Sequence, residues 1–149
     1  MKLSKKAEYA LRALVAMGRG AVGRTFSIQE IATGEHIPLK FLEQILLQLK
    51  NGGILRSKRG VGGGYQLARP ASRIKLAEVI ATVDGPAEMI SCVTHVGAGT
   101  ACECGVAGGC ALGHTFAQLR DQIDQWLNAC TIAQIIEREG ERSGMAFDI

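Results

Sequence analysis

Four cysteines, Cys92, Cys102, Cys104 and Cys110, lie within 19 residues on the stretch Ser91 to Gly113, SCVTHVGAGTACECGVAGGCALG. Clustered thiolates bind soft metals and iron–sulfur clusters, or exchange electrons as disulfides. The spacing narrows the choice. Zinc sites favour Cys-x(2–4)-Cys pairs, and this stretch has none. Cys102 and Cys104 are one residue apart, which sends their sulfurs to opposite sides of an extended segment, so one of the two is not a ligand. Three thiolates on a loop with six glycines suit an iron–sulfur cluster, since glycine lets the backbone fold around inorganic sulfide and offer it N–H groups. Zinc, a thiol redox switch and incidental cysteines stay open on spacing alone. The fifth cysteine, Cys130, continues a helical pattern and reads as a small core residue. There is no serine–histidine–acid arrangement, no phosphate loop and a total of three histidines, so the chain is not read as an enzyme.

A loop this long inside a small protein is functional or disordered, and needs a scaffold on both sides. Upstream stands Ser27 to Pro70, SIQEIATGEHIPLKFLEQILLQLKNGGILRSKRGVGGGYQLARP. Ser27-Ile28-Gln29-Glu30 is a capping box, with the serine hydroxyl accepting from the Glu30 amide and the Glu30 side chain reaching back. Ile28, Ile31 and Ala32 give this short helix an apolar side, and Gly34 can end it in the left-handed conformation. Pro38 suits the first turn of a second helix. There Leu42, Ile45, Leu46 and Leu49 face a core, while Lys40, Glu43, Gln44 and Gln48 stay polar and accessible. Asn51-Gly52-Gly53 stops it. Residues 54–58 and 65–68 read as strands around a glycine-rich tip, crowded by Arg56, Lys58, Arg59 and Arg69. The plan is a winged helix-turn-helix, mainly α with a small β-hairpin.

Before this unit, Ser4 can cap a helix with Ala7, Ala10, Leu11, Leu14 and Val15 on one face, ended by Gly18 and Gly20. Lys5, Lys6 and Arg12 sit off that face, close enough to DNA to help with phosphates, and Glu8 can pair with Arg12 at i,i+4. After it, Leu76, Val79, Ile80 and Val83 mark a helix closed by Gly85-Pro86, which packs on the first. Beyond the cysteines, Leu112, Phe116, Leu119, Ile123, Trp126 and Cys130 are spaced 4, 3, 4, 3, 4, a heptad seam that suits pairing with a second copy of the chain. Thr131-Ile132-Ala133-Gln134 caps a short last helix. The expected organisation is a winged helix-turn-helix domain at 1–85, a cysteine-rich loop at 86–111, a dimerisation helix and short terminal helix at 112–138, and a flexible tail at 139–149.

The composition is that of a globular protein, 47% hydrophobic and 21% charged over 149 residues. No apolar run approaches the roughly 20 residues of a membrane span, and Glu8 and Arg12 interrupt any leader-like core, so the chain is expected to be cytoplasmic. Its net charge of +3 conceals an asymmetry. Residues 1–75 hold 14 of the 17 Lys+Arg and 4 of the 14 Asp+Glu, a balance of +10, whereas residues 76–149 stand at −7. A basic half containing a helix-turn-helix is the footprint of a nucleic-acid binder, and the acidic half is left to sense or to dimerise.

The segment Lys5 to Leu14, KKAEYALRAL, together with Ile31-Ala32, Phe41 to Leu46, the wing Arg59 to Pro70, RGVGGGYQLARP, and Leu76 to Ile80 resembles the IscR/NsrR-like winged-helix regulators of bacteria, the Rrf-two family. The resemblance covers residues 1–136, and the RG-x-GGGY wing is its most specific part. It implies a homodimeric transcription factor binding double-stranded palindromic DNA, with an iron–sulfur cluster (2Fe–2S or 4Fe–4S) on three cysteines, which map onto Cys92, Cys104 and Cys110. The gap from Cys92 to Cys104 is longer than is usual in the family, and Cys102 is extra. The family's fourth ligand varies. Glu8 occupies the place of an acidic ligand given by the other subunit, and His114 lies one residue beyond the place of a histidine ligand; Cys102 and His95 are further alternatives. By the same match Lys40, Glu43 and Gln44 would read bases, Arg59 would enter the minor groove, and Arg56 and Lys58 would hold phosphates. The competing readings are a cluster-free member that switches by thiol oxidation, and a metal- or cluster-carrying adaptor with no specific DNA binding.

Overall fold

Hydroxyl side chains cap three of the described helices, and a proline precedes a fourth. The computed structural model describes residues 3–85 and 111–145, less the side chains of Leu112 and 142–145, so Cys92, His95, Cys102, Cys104 and Cys110 lie outside the described residues. Ser4 accepts from the Ala7 amide at 3.0 Å and opens α1, Lys5–Gly18. Ser27 accepts from the Glu30 amide at 3.1 Å and opens α2, Ile28–Gly34. Only half of that capping box forms, because the Glu30 carboxylate takes a hydrogen bond from Arg24 instead of turning back. Pro38 sits at the cap of α3, Leu39–Asn51, one residue before the first turn. The strands are β1, Leu55–Lys58, and β2, Gly64–Leu67, antiparallel with Leu55 opposite Leu67 and Lys58 opposite Gly64. A 3-10 turn at Ala71–Arg73 leads to α4, Leu76–Asp84. Downstream stand α5, Ala111–Ala129, and α6, Ile132–Met145.

The core forms around α1. Ala7, Ala10, Ala13 and Leu14 are fully buried, and α3, α4 and α6 all pack on this helix. Burial on so wide an arc explains a departure from the expected face: Ala13 and Met17 are buried, while Leu11 is half-buried at its edge. Leu42, Ile45, Leu46 and Leu49 of α3 and Val79, Ile80 and Val83 of α4 complete the winged-helix core, as their spacing predicts.

Two connections are not visible in the apolar pattern. Phe26 pairs with Tyr65 in an isolated bridge, the amides and carbonyls exchanging bonds of 2.8 and 2.9 Å, which ties the residue before Ser27 to the hairpin. Lys75 pairs with Thr131, with Leu76 N–H to Cys130 O and Ile132 N–H to Ile74 O both at 3.0 Å. This second bridge fixes the α5–α6 junction to the root of α4. It buries Ile132 and Cys130 in the same core as α1. The Thr131–Gln134 box here closes both ways, at 3.0 and 3.4 Å. The last helix is not short: residues 139–145, expected as a loose tail, continue α6, and Arg19, the residue after α1, holds Glu139 on it.

Gly64 is a position where the hairpin tolerates no side chain. Its φ is +156°, and a Cβ there would fall 2.1 Å from the Phe26 carbonyl oxygen. Gly64→Ala is therefore expected to lower unfolding stability by at least about 2 kcal/mol in urea denaturation.

Candidate nucleic-acid interface

The geometry of the interface begins in the turn between α2 and α3. His36 takes a left-handed conformation, φ 52°. The Ile37 amide reaches the Ala32 carbonyl at 2.9 Å and the His36 amide reaches Thr33 at 3.4 Å, so the helix ends in a Schellman motif. Ile37, 3% exposed, plugs the turn. The left-handed residue is thus His36 and not Gly34, the glycine the sequence pointed to. Histidine is among the few side chains tolerated there.

This turn presents one side of α3 to solvent. Lys40, Glu43 and Gln44 are all exposed, with Leu47 beside them, and none of the three polar groups makes a hydrogen bond or ion pair among the described residues. A helix with its core side filled and donors and acceptors of both charges left open can enter a groove and read base edges.

The wing adds a cationic arm. Gly60 and Gly62 have φ of 96° and 73°, and the Gly63 amide closes the tip on the Gly60 carbonyl at 2.9 Å. Val61 stands fully exposed at the tip. Lys58 and Arg59 are exposed with no partner among the described residues. Arg56 lies across from Gln66, whose amide, turned so that both of its ends are satisfied, accepts from Arg56 Nε at 2.8 Å and donates to the Gly23 carbonyl at 2.9 Å. Arg69 differs from the other three. It donates to Glu78, to the Arg73 carbonyl at 3.1 Å and to the Gly53 carbonyl at 3.3 Å, so it braces the wing against α4 and is not a groove contact.

The polar side of α1 reaches the same turn. Lys5 Nζ donates to Glu8 Oε2 at 2.7 Å, and Arg12 Nη1 stands 4.0 Å from Glu8 Oε1. Arg12 also binds Glu35 of the turn twice, through its backbone carbonyl and through Oε2 at 3.4 Å. The Tyr9 ring meets Phe41 of α3 edge-on, centroids 5.8 Å apart, with the Arg12 guanidinium over Tyr9. Arg12, which the sequence placed near phosphates, is therefore a strut between α1 and the reading unit. Lys6 is likewise occupied, donating to the Val83 carbonyl at 2.6 Å, and Ser4 donates to Asp84 at 2.6 Å.

Of the candidate ligands, Glu8 and His114 fall among the described residues. Glu8 is 39% exposed at its side chain, and the Lys5 hydrogen bond holds its carboxyl below the ordinary range, so it is ionised at neutral pH, the form a metal requires. His114 is exposed on α5. Cys130 is 4% exposed in the core and is no ligand. Among the described residues no group of three or more His, Cys, Asp or Glu converges. The expected seam divides: Cys130 lies in the core and Ile123 packs half-buried against it, whereas Leu119 (42%) and Trp126 (55%) are exposed, and the core contact of α5 is made by Leu127, off the seam. No described helix is long and apolar enough to cross a membrane.

A helix-turn-helix followed by a basic hairpin, with the second helix open along one side, defines a winged helix-turn-helix DNA-binding protein. Residues 3–138 match the Rrf2 family, described as an iron-dependent transcriptional regulator, and the chain belongs to that family, which is one of regulators and not of enzymes. It is 40% identical over 99 residues to a Mycobacterium tuberculosis protein named as an HTH-type transcriptional regulator, covering 66% of this chain and 60% of that protein. It is 39% identical over 101 residues to the HTH-type transcriptional regulator IscR of Cereibacter sphaeroides, covering 66% and 63%. A Haemophilus influenzae protein, also named as an HTH-type regulator, is 32% identical over 93% of this chain and 88% of its own length. In fold the chain is similar to the global cysteine regulator CymR of B. subtilis, TM-score 0.74, 22% identity, covering 93% of this chain and 98% of that one. It is also similar to the oxidized form of Staphylococcus aureus CymR, TM-score 0.70, 26% identity, covering 92% and 97%.

The turn yields a direct check. Replacing His36 by glycine removes the penalty of a Cβ at positive φ, so His36→Gly is expected to raise unfolding stability by about 0.5–1 kcal/mol, and His36→Val to lower it by at least as much. Thermal unfolding of both variants measures this.

Proposed function

We propose that this protein is a homodimeric transcriptional regulator, working in the cytoplasm, that binds palindromic operator DNA and senses redox, iron–sulfur or nitric oxide status through an iron–sulfur cluster on Cys92, Cys104 and Cys110. The observation that carries the DNA-binding part is the open polar side of α3 beside a wing whose Lys58 and Arg59 have no partner among the described residues, in a member of this family. Lys40, Glu43 and Gln44 read bases in the major groove; Lys58 and Arg56 hold phosphates; Arg59 at the tip reaches into the minor groove. Leu119 and Trp126 support the dimer, as apolar groups left open along one stripe of α5 that a second copy would cover.

The fourth ligand in this reading is Glu8 of the partner subunit. One feature of α1 supports it: Glu8 is ionised and half-exposed, and its partners among the described residues are the long flexible cations Lys5 and Arg12. His114 and Cys102 remain the alternatives to Glu8. A bound cluster supplies a centre that oxidant, nitric oxide or iron loss can alter. What the chain itself supplies is the connection, since the Arg12 that pairs with Glu8 also holds Glu35 in the turn.

A second reading, thiol switching without a cluster, is favoured by the likeness to CymR, one structure of which is an oxidized form. Anaerobic purification followed by visible absorption and iron and sulfide analysis separates the two. Stoichiometric iron and sulfide with charge-transfer bands are expected; colourless protein that takes up no iron on reconstitution, yet changes its free thiol count with peroxide, would replace the cluster by the switch. In the cluster-loaded protein Glu8→Ala is expected to alter the absorption spectrum and the DNA response, and an unchanged spectrum would remove Glu8 from the ligand set.

The DNA contacts are checked by titration against salt. Lys58→Ala should reduce the slope of log K against log salt by about 1 at every sequence, while Arg59→Ala should also relax discrimination between A·T and G·C at the minor-groove position. Weak binding with no sequence preference in the unsubstituted protein would point to the adaptor reading.

A further inference from the structure

We propose that the protein carries a second regulatory site, for a small amphiphilic carboxylate, in the cavity behind the wing. The cavity is about 310 Å³ and lies between the end of α1, the α1–α2 loop and the root of the hairpin. That volume is at the lower end of small-ligand sites, which are mostly apolar with a few placed polar groups. This one has that make-up. Met17, Ala21, Leu67 and Ala71 provide apolar lining; Arg24, Arg56 and Arg69 are its charged residues, and no acidic side chain lines it.

The three guanidinium groups are not equivalent. Arg69 is committed to Glu78 and two carbonyls, and Arg24 is paired with Glu30 and stacked 4.5 Å over the Phe26 ring. Arg56 uses only Nε, toward Gln66, which leaves both terminal nitrogens without a partner among the described residues. One open guanidinium fork matches the two oxygens of a carboxylate, and an apolar tail attached to it would reach the lining. A free inorganic anion would gain nothing from that lining, and a neutral chain would leave the fork unused.

The site adjoins both ends of a mechanical connection. Its walls belong to the wing and to the helical core, so an occupant ties one to the other. Where Arg56 also holds a phosphate, which rests on the DNA-binding reading above, ligand and operator compete, and each must weaken the other by the same factor.

The test uses the full chain without DNA, so it stands apart from the DNA reading. Methyl NMR of methionine-labelled protein, with the Met17 signal assigned through Met17→Leu, follows titration with hexanoate, hexan-1-ol and inorganic phosphate. Hexanoate is expected to shift Met17 with a Kd of about 1 mM or tighter, and the two controls to bind at least about ten-fold more weakly. Arg56→Gln should weaken hexanoate about ten-fold, and Ala21→Trp, which fills the cavity from its exposed loop, should abolish the shift. No Met17 shift with hexanoate, equal binding of hexanol or phosphate, or full binding by the Ala21→Trp protein would each overturn the proposal.

Discussion

The structure depends on how closely α1 can be approached. Three alanines, Ala7, Ala10 and Ala13, leave no solvent-exposed area and no long side chains between this helix and its neighbours, so α3, α4 and α6 pack on it together. A larger residue at any of these positions would have to displace a neighbouring helix, because interiors are close-packed and cannot absorb a methylene without movement. The cost of this arrangement is that α1 has one polar strip left, and that strip carries Lys5, Glu8 and Arg12. The same helix that centres the core therefore also faces the turn of the reading unit, through the Arg12–Glu35 contacts and the Tyr9–Phe41 edge contact.

Much of this was legible in the residues. Ser4, Ser27 and Thr131 mark helix starts that the structure realises, and the Leu42–Ile45–Leu46–Leu49 face of α3 is buried as its spacing requires. What was not legible depended on competition between groups that the capping and apolar patterns do not take into account. Glu30 was free to complete a capping box until Arg24 came within reach. Arg69 looks like part of a basic wing until the fold sets Glu78 and two carbonyls around it. The left-handed turn residue is His36 because the Schellman bonds require that register, whatever the residue type two positions earlier. Phe26 joins the hairpin by backbone pairing, which has no side-chain pattern to betray it.

On α5 the heptad seam and the buried face overlap but do not coincide. Ala117, Leu127 and Cys130 satisfy the helix's own core, leaving Leu119 and Trp126 to a neighbouring stripe. Spacing could identify both stripes as apolar and could not tell which would find a partner within the chain. The candidate base-reading face is easier to place from sequence than the candidate metal ligands, for a physical reason. A base-reading face is defined by what remains polar once a helix has filled its core side, whereas a metal site is defined by convergence of residues from separate segments. Glu8 and the four clustered cysteines come from such separate segments, and the cysteines lie outside the described residues.

Arg12 joins α1 to the turn before α3 by holding Glu35, which commits its guanidinium to that contact and not to a phosphate. Operator affinity of Arg12→Lys, measured across a salt series beside the unsubstituted protein, tests this most directly. Lysine keeps the charge but loses the planar fork that spans the Glu35 carboxylate and carbonyl. Operator binding is expected to weaken by about ten-fold with the slope of log K against log salt unchanged, and Arg12→Ala is expected to leave the slope intact as well. A slope reduced by about 1 in Arg12→Ala would instead make this residue a phosphate contact, and unchanged affinity in both variants would contradict the coupling.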